Sequence, residues 1–269
     1  MSIESENSSS SCGPMHVLRA SLRPLRANTG AKPGLLVAGA TGVLGAEVLR
    51  RLAGSGAYAQ TRVLAREPIT AGLSQVGIEL VGGDDIEAWP VCTVAVETGV
   101  VMFEPPRLYH DRERALWTPT PGQLLPLALW LRRCGVQTLV MVLPHTQGSL
   151  PAALWHGLAN IDEQQVVALG FERVLLIRSA RKQSGAGATG FLQKIAQWML
   201  SAGSYMIPAT SLPVRPARLA EFVAAALRVL PAGTHVADPE LLGRAAQARD
   251  MQVVVQAWLN TIQPNAQAD

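Results

Sequence analysis

The sequence predicts a doubly wound α/β fold, in which helices cover both faces of a parallel sheet. Short apolar runs alternate with segments of helical periodicity along the first two thirds of the chain. A glycine-rich turn joins the first apolar run to the first helical segment. That run, Leu35–Gly39, is apolar throughout, as expected of a strand buried on both faces of a parallel sheet.

Each predicted element follows from apolar periodicity and from the turn residues that bound it. The predicted strands are Leu35–Gly39, Thr61–Ala65, Ile78–Val81, Val91–Val96, Gln137–Leu143 and Arg173–Ile177. The predicted helices between them are Val43–Leu52, a segment with Leu124, Leu127, Ala128 and Leu131 on one face that ends at Gly135, and Ile161–Leu169. Further helices near Gly190–Leu200, Arg218–Leu230 and Arg244–Leu259 predict a small, mostly helical C-terminal portion from about residue 181, with a Pro-rich link at Pro208–Pro216.

Residues 1–33 differ in composition from the rest. The run Ser8–Ser11 lacks apolar periodicity, and Gly30 and Pro33 punctuate the end of the segment, so we predict a flexible tail before a single domain over residues 34–269. The stretch Arg19–Arg26 has no acidic residue, which leaves a transit peptide as an alternative, although Glu4 and Glu6 weigh against it.

Composition excludes several classes of protein. The chain has 269 residues, of which 48% are hydrophobic, and its 23 Lys and Arg nearly balance its 20 Asp and Glu. A nucleic-acid surface needs clustered basic charge, so no nucleic-acid partner is expected. No run of 18 apolar residues is present, so no membrane span is expected. Three cysteines without metal-like spacing indicate a reducing compartment, which favours a cytoplasmic location, and no metal site.

The most informative motif is the turn after the first strand, where glycines stand at positions 39, 42 and 45. Gly39 permits the tight turn, Gly42 lets backbone N–H groups approach a pyrophosphate, and Gly45 allows the helix to pack closely on the strand. Because the motif follows a predicted strand and opens a predicted helix, it predicts dinucleotide binding in a Rossmann-type domain. The alternative is a tight turn that has lost its ligand.

Cofactor preference depends on the end of the second strand. An acidic residue there would accept a hydrogen bond from the ribose of NAD(H), whereas a guanidinium suits the 2′-phosphate of NADP(H). The strand is followed by Arg66 and then Glu67. Arg66 therefore favours NADP(H), whereas Glu67 leaves NAD(H) possible. The alternative is that Arg66 is a solvent-exposed loop residue without a cofactor contact.

These residues, with Gly83 and Asp84 after the third strand, resemble an atypical short-chain dehydrogenase/reductase. The resemblance runs from about Leu35 to Leu242 and is nearest to the NAD(P)-binding, Tat-interacting-protein-like oxidoreductases, which are related to the NmrA-like sensors. It implies a cofactor site formed by Gly39, Thr41, Gly42, Val43, Leu44, Gly45, Arg66 and Asp84.

The resemblance also implies a catalytic Tyr with a Lys four residues later and a Ser after the fifth strand. No tyrosine of this chain has a lysine four residues later. The family's spacing places the Tyr position at His156, the Lys position at Asn160 and the Ser position at His145. His156 can donate a proton near neutral pH, but Asn160 supplies no positive charge. Polar residues that line a degenerate cleft are the alternative.

A second departure concerns the end of the predicted fourth strand, where the family has a glycine next to the cofactor and this chain has Glu97, followed by Gly99. A carboxylate there would repel a pyrophosphate, unless Glu97 points away. Cys92, in the predicted fourth strand, and Cys134, at a helix end, are interpreted as inert core residues.

Three functional hypotheses follow, and whether the chain is an enzyme stays open. It binds NADP(H) as a cofactor-responsive binding or accessory protein, or it is an oxidoreductase of small carbonyl substrates that uses His156 or a substrate group as the acid. In the third hypothesis it is a structural or interaction subunit that has lost the cofactor. The partners are accordingly a dinucleotide, a small carbonyl substrate or another protein. The oligomeric state is not predicted.

Overall fold

The described sheet is parallel throughout, with strand order β3-β2-β1-β4-β5-β6-β7. The computed structural model describes residues 32–69, 75–107, 109–145, 161–180 and 214–262. Its strands are β1 Gly34–Ala38, β2 Gln60–Ala65, β3 Val76–Leu80, β4 Thr98–Met102, β5 Thr138–His145, β6 Arg173–Ala180 and β7 Gly233–Ala237. The order steps outward from β1 in both directions, which confirms the doubly wound, Rossmann-type α/β fold.

Seven helices are described, and they lie on both sides of the sheet. They are α1 Gly42–Ala53, α2 Asp111–Arg114, α3 Leu124–Arg133, α4 Ile161–Ala168, α5 Pro216–Val229, α6 Pro239–Gln247 and α7 Met251–Ile262. Val37 and Phe222 belong to a core on one face, which α1 and the C-terminal helices cover. Leu36, Trp89 and Leu127 belong to a core on the other face, which α3 and α4 cover.

Two sequence-based predictions of secondary structure were wrong. Val91–Val96 forms no strand, and the fourth strand is Thr98–Met102, which is buried at every position. Its neighbours β1 and β5 enclose it on both sides, and that burial is set by the fold rather than by local β-branched content. The helix predicted over Arg244–Leu259 is two helices, because the chain leaves α6 at Ala248 and begins α7 at Met251.

Strand β7 was not predicted. Its sequence is short and begins with Gly233, so little in it favours a strand, but β6 pairs with it along its whole length. The tail over residues 1–33 lies almost entirely outside the described residues, and the helix near Gly190–Leu200 and most of the Pro-rich link lie outside them too.

Candidate functional site

The glycine turn between β1 and α1 has the backbone geometry of a phosphate-binding loop. Gly39 and Gly42 have φ of +73° and +71°, a region that favours glycine. A Cβ on Gly45 would lie 2.7 Å from the carbonyl oxygen of Gly39, so only glycine lets the helix approach so closely. Helix α1 therefore begins directly after β1, with its first N–H groups facing the carboxyl ends of the strands.

Two carboxylates of the chain itself bind these N–H groups. The Leu44 amide donates to Glu104 Oε2 over 2.7 Å, and the Gly42 amide donates to Glu113 Oε2 over 3.0 Å. The Thr41 hydroxyl contacts the backbone carbonyl of Glu104 and lies 3.0 Å from the Thr118 hydroxyl. Negative groups are favoured at a helix N-terminus, so Glu104 and Glu113 cap α1 where a bound phosphate would otherwise do so.

Glu113 is buried and its carboxylate is surrounded by donors. Besides Gly42, it accepts from the Arg107 backbone N–H at 2.8 Å and from Arg107 Nε at 2.7 Å, with a further contact from the same guanidinium. Burial opposes ionisation, but the hydrogen bonds from Arg107 and Gly42 outweigh it, so the pKa of Glu113 is lowered. The same carboxylate holds the pKa of Arg107 above its usual value.

The chain between β4 and α3 lies across the carboxyl ends of β1 and β2. We call residues 104–107 and 109–118 the crossing segment. Its backbone is hydrogen-bonded to β2, to the residue that follows β2, and to the glycine turn that follows β1. The bonds are Arg66 N to Ala115 O (2.8 Å), Trp117 N to Leu64 O (2.9 Å) and Gly39 N to Trp117 O (3.1 Å).

Tryptophans fix the crossing segment to the core beneath it. Trp117 is fully buried, and its ring meets that of Trp89 edge-on with the centroids 4.9 Å apart. Trp89 in turn meets Trp130 of α3 at 5.3 Å. The indole N–H groups of Trp89 and Trp130 donate to the carbonyls of Gly82 and Pro90. The crossing segment is therefore packed into the fold, with a large apolar anchor.

In this arrangement the residues do not fit a dinucleotide. Two of the loop's N–H groups already donate to carboxylates, and the crevice beside β1 and β2 is filled by the crossing segment. A pyrophosphate at the loop would also lie against two negative side chains, and such like charges repel. The assignment of Gly39, Thr41, Gly42, Val43, Leu44 and Gly45 to cofactor binding therefore stays a prediction.

Arg66 and Asp84 lie where the sequence predicts them, just beyond β2 and β3. Arg66 Nη2 is 2.9 Å from Asp84 Oδ1, and both side chains are at least half exposed. The guanidinium is thus occupied by a carboxylate, although the pair is accessible to solvent. An exposed pair of this kind contributes little to stability.

The predicted catalytic residues are only partly described. His145 is the last residue of β5, where its backbone pairs with Ala180, while His156 and Asn160 lie outside the described residues. Near that strand end, Arg178 of β6 forms a buried ion pair with Glu163 of α4, with 2.9 Å between Nη2 and Oε2. The catalytic roles of His145, His156 and Asn160 stay predictions.

Glu97 lies at the amino ends of the strands, whereas the glycine loop lies at their carboxyl ends. It precedes β4, and its backbone N–H donates to Gly34 O, so of the two alternatives the structure has the one in which Glu97 lies away from the pyrophosphate position. Gly99 is inside β4, not at its end. Glu97 instead helps line a cavity of about 340 Å³ at the amino ends of the strands, together with Tyr58 and Arg228. Burial raises the pKa of Tyr58 to about 12, against the opposing effect of Arg228.

Sequence reasoning missed the residues that occupy the loop. The usable signal was Glu104, which follows the apolar run Val100–Phe103 by one residue and therefore stands just beyond a strand end. Glu113 had no such signal, because it belongs to the charged run Tyr109–Arg114, whose composition is typical of a solvated surface. Trp117 was not singled out either.

Two further features bear on the kinds of site available. No helix in the described ranges is long and apolar enough to cross a membrane. Within the same ranges, no three His, Cys, Asp or Glu side chains are grouped as ligands for a metal ion.

Comparisons with known proteins identify distant similarities of structure. No family model and no curated protein sequence matches the chain. A nucleoside-diphosphate-sugar epimerase from Staphylococcus aureus is similar in structure, with 11% identity over 76% of this chain and 70% of that one and a TM-score of 0.43. MoeE5 in complex with UDP-glucuronic acid and NAD gives 15% identity over 76% and 75%, with a TM-score of 0.42. The Bordetella bronchiseptica enzyme WbmG in complex with NAD gives 13% over 88% and 80%, with a TM-score of 0.41. At these identities and TM-scores the similarities are distant and show no family for this chain.

Proposed function

We propose that this chain is a Rossmann-type accessory or interaction protein that has no short-chain dehydrogenase/reductase chemistry and holds its phosphate loop closed with its own carboxylates. The observation that supports this is the pair of hydrogen bonds from Gly42 and Leu44 to Glu113 and Glu104. These bonds give the loop an internal partner, so the loop fastens the crossing segment to the sheet.

The electrostatics of the loop support the same proposal. Glu113 is buried with its charge compensated by Arg107, so the closed arrangement leaves no uncompensated buried charge at the helix N-terminus. A dinucleotide would have to displace both carboxylates and the backbone bonds of the crossing segment, and each of those groups would need a new partner. We therefore expect no measurable binding of NADPH or NADH by the wild-type chain.

The chemistry of the sequence points in the same direction. Without a Tyr-x-x-x-Lys pair the chain lacks the general acid of the family it resembles, and loss of a positioned acid forfeits about 10²–10⁴-fold in rate. His156 is the remaining candidate acid for an oxidoreductase. The test is a panel of aldehydes and ketones with NADPH. If the wild type reduced one of them at enzymatic rates and His156→Ala did not, the oxidoreductase hypothesis would replace our proposal.

A second candidate is a cofactor-responsive protein that binds NADP(H) when the crossing segment moves away. It is favoured by the preserved φ angles of Gly39 and Gly42 and by the exposure of Arg66 next to the crevice. In that case Glu104 and Glu113 would compete with the pyrophosphate for the same N–H groups.

Calorimetric titration with NADPH and NADH separates these candidates. The set comprises the wild type, the double variant Glu104→Gln/Glu113→Gln, and the control Glu221→Gln. The control removes a carboxylate of α5 that pairs with Arg218 and with Arg51 in the last turn of α1, at the other end of that helix from the loop. No binding by any of the three supports the accessory protein. Saturable binding by the wild type and the control would overturn it and establish the cofactor-responsive protein, with the double variant then expected to bind more tightly.

A further inference from the structure

Cys92 and Cys134 lie side by side, although 42 residues separate them in sequence. The Cys92 amide donates to Cys134 Sγ over 3.1 Å. Cys92 is half-buried in the loop between β3 and β4, not in a buried strand as expected, and Cys134 is the buried C-cap of α3. The expectation of core residues is confirmed for Cys134, which belongs to the apolar core, while Cys92 packs against that core from a loop.

The reach of the two side chains allows a bond between them. The Cys92 sulfur is three covalent bonds from its own amide nitrogen, and that nitrogen is 3.1 Å from the other sulfur. Rotation about χ1 of Cys92 moves its sulfur among three staggered positions around this nitrogen. A disulfide needs the two sulfurs about 2.05 Å apart, so a rotamer change with a small loop adjustment is sufficient.

The loop that carries Cys92 is held against the end of α3. Trp130 Nε1 donates to Pro90 O over 2.8 Å, and Arg133 donates to the carbonyls of Glu87 and Trp89. These bonds keep the two thiols together, so little chain entropy remains to be lost when they are linked.

We propose that Cys92 and Cys134 are a redox-active dithiol that closes to an intramolecular disulfide when a hydroperoxide oxidises it. Cys134 is the sulfur whose thiolate is favoured, and hydrogen peroxide converts it to a sulfenic acid with release of one water. The sulfur of the half-buried Cys92 then attacks the Cys134 sulfur, the S–O bond breaks, and hydroxide leaves with the Cys92 proton as a second water. The two thiols lose two electrons and two protons, which reduce the peroxide.

The two thiols are suited to different roles in this sequence. Their mutual hydrogen bonding lowers the pKa of Cys134 and raises that of Cys92. The thiolate is the form that a hydroperoxide oxidises, so Cys134 is suited to the first step and Cys92 to the second. Closure would tie the β3–β4 loop covalently to α3.

The test is mass spectrometry of the full-length protein after reduction, treatment with one equivalent of hydrogen peroxide and alkylation. We expect a loss of about 2 Da from the protein mass, one alkylated cysteine out of three, and recovery of all three with dithiothreitol. Trypsin should release a linked pair of peptides, residues 67–107 with residues 134–173, because no Lys or Arg lies within either before its last residue.

Controls assign the bond. Cys12→Ser should form the same linked pair, and Cys92→Ser should not, while its circular dichroism stays that of the wild type. Three alkylated cysteines after oxidation, a linkage through Cys12, or a sulfinic acid at Cys92 in place of the linked pair would each overturn the proposal. The wild-type peptide map decides the matter even where a cysteine variant fails to fold.

Discussion

The carboxylate of Glu113 and the amide nitrogen of Gly42 are 71 residues apart in sequence and 3.0 Å apart in the fold. A helix N-terminus that opens a glycine turn attracts anions, and here the anion is a side chain of the same molecule. The loop and the crossing segment therefore stabilise one another. This mutual dependence makes the closed loop accessible to stability measurements as well as to ligand titrations.

Acid stability should depend on Glu113. Its pKa is lowered in the folded state, so its ionised form stabilises the fold fully above the ordinary glutamate pKa of about 4.3, and this contribution is lost as the pH falls through the lowered value. At pH 7 we expect Glu113→Gln to lose about 1.5–3 kcal/mol of unfolding free energy, the usual range for hydrogen bonds to a charged group. In urea titrations from pH 7 to pH 3, the unfolding free energy of the variant should depend less on pH than that of the wild type.

Arg107→Gln is the matched variant for that measurement. Removing the guanidinium moves the pKa of Glu113 in the folded state back toward its ordinary value, so the variant should be less stable at pH 7 and lose less unfolding free energy between pH 7 and pH 3 than the wild type. Identical pH profiles for the wild type and both variants would mean that the carboxylate is not held as the structure describes.

Gly42 should tolerate no side chain while Glu104 is present. Its φ of +71° disfavours L residues, and an added Cβ would overlap the Glu104 carboxyl group. Gly56 has a similar φ of +63° with nothing near the position of a Cβ, so it isolates the backbone cost, about 1–2 kcal/mol. We expect Gly42→Ala to lose more unfolding free energy than Gly56→Ala in urea titrations.

The difference between these two glycine variants should shrink when Glu104 is changed to Ala, because the overlapping group is then gone. A double-mutant cycle of Gly42→Ala and Glu104→Ala measures this coupling. Additive losses would show that Glu104 does not lie over Gly42.

Local sequence was sufficient for the parts of the fold that depend on local residues. The apolar run before Gly39, the glycine spacing and the helix that follows define β1, the turn and α1, and the structure has all three. The fourth strand was predicted at the wrong residues because Val91–Val96 is rich in β-branched residues. The strand observed, Thr98–Met102, is set by its pairing with β1 and β5 on its two sides.

The misplaced strand also explains why the wrong glutamate was considered. A carboxylate near the phosphate loop was considered only as one alternative, and only for Glu97, which lies at the amino end of β4. The carboxylate that reaches the loop is that of Glu104, beyond the carboxyl end of the same strand. The closure by Glu113 could not be predicted, because it depends on the path of a segment that returns across two strands. No local pattern encodes such a return.

Arg66 should distinguish the two cofactors once the loop is open. The starting point is a chain with Glu104→Gln and Glu113→Gln that binds dinucleotide. Adding Arg66→Ala should weaken the binding of NADPH by about 1.5–3 kcal/mol and leave the binding of NADH unchanged, because only NADPH has the 2′-phosphate. Asp84→Asn should strengthen the binding of NADPH, because in the wild type the Asp84 carboxylate is paired with the Arg66 guanidinium. Calorimetric titration of both cofactors measures this. Equal losses for NADPH and NADH would assign Arg66 a structural role.

The buried tryptophans should respond differently to the loss of their indole N–H. Trp117 and Trp130 are both buried, but the Trp130 N–H donates to Pro90 O at 2.8 Å, whereas the Trp117 N–H has no hydrogen-bond partner among the described residues. A buried donor without a partner is itself unfavourable, whereas the Trp130 N–H is satisfied and its hydrogen bond is lost on substitution.

Trp117→Phe should therefore lose less unfolding free energy than Trp130→Phe, by about 1–2 kcal/mol, since both substitutions remove the same volume and only one breaks a hydrogen bond. Trp89→Phe, which loses the bond to Gly82 O, should behave like Trp130→Phe. Chemical unfolding of the three variants under one condition provides the measurement. If Trp117→Phe proved the most costly of the three, its N–H would have a partner, and the crossing segment would be held by more than the packing and backbone bonds described above.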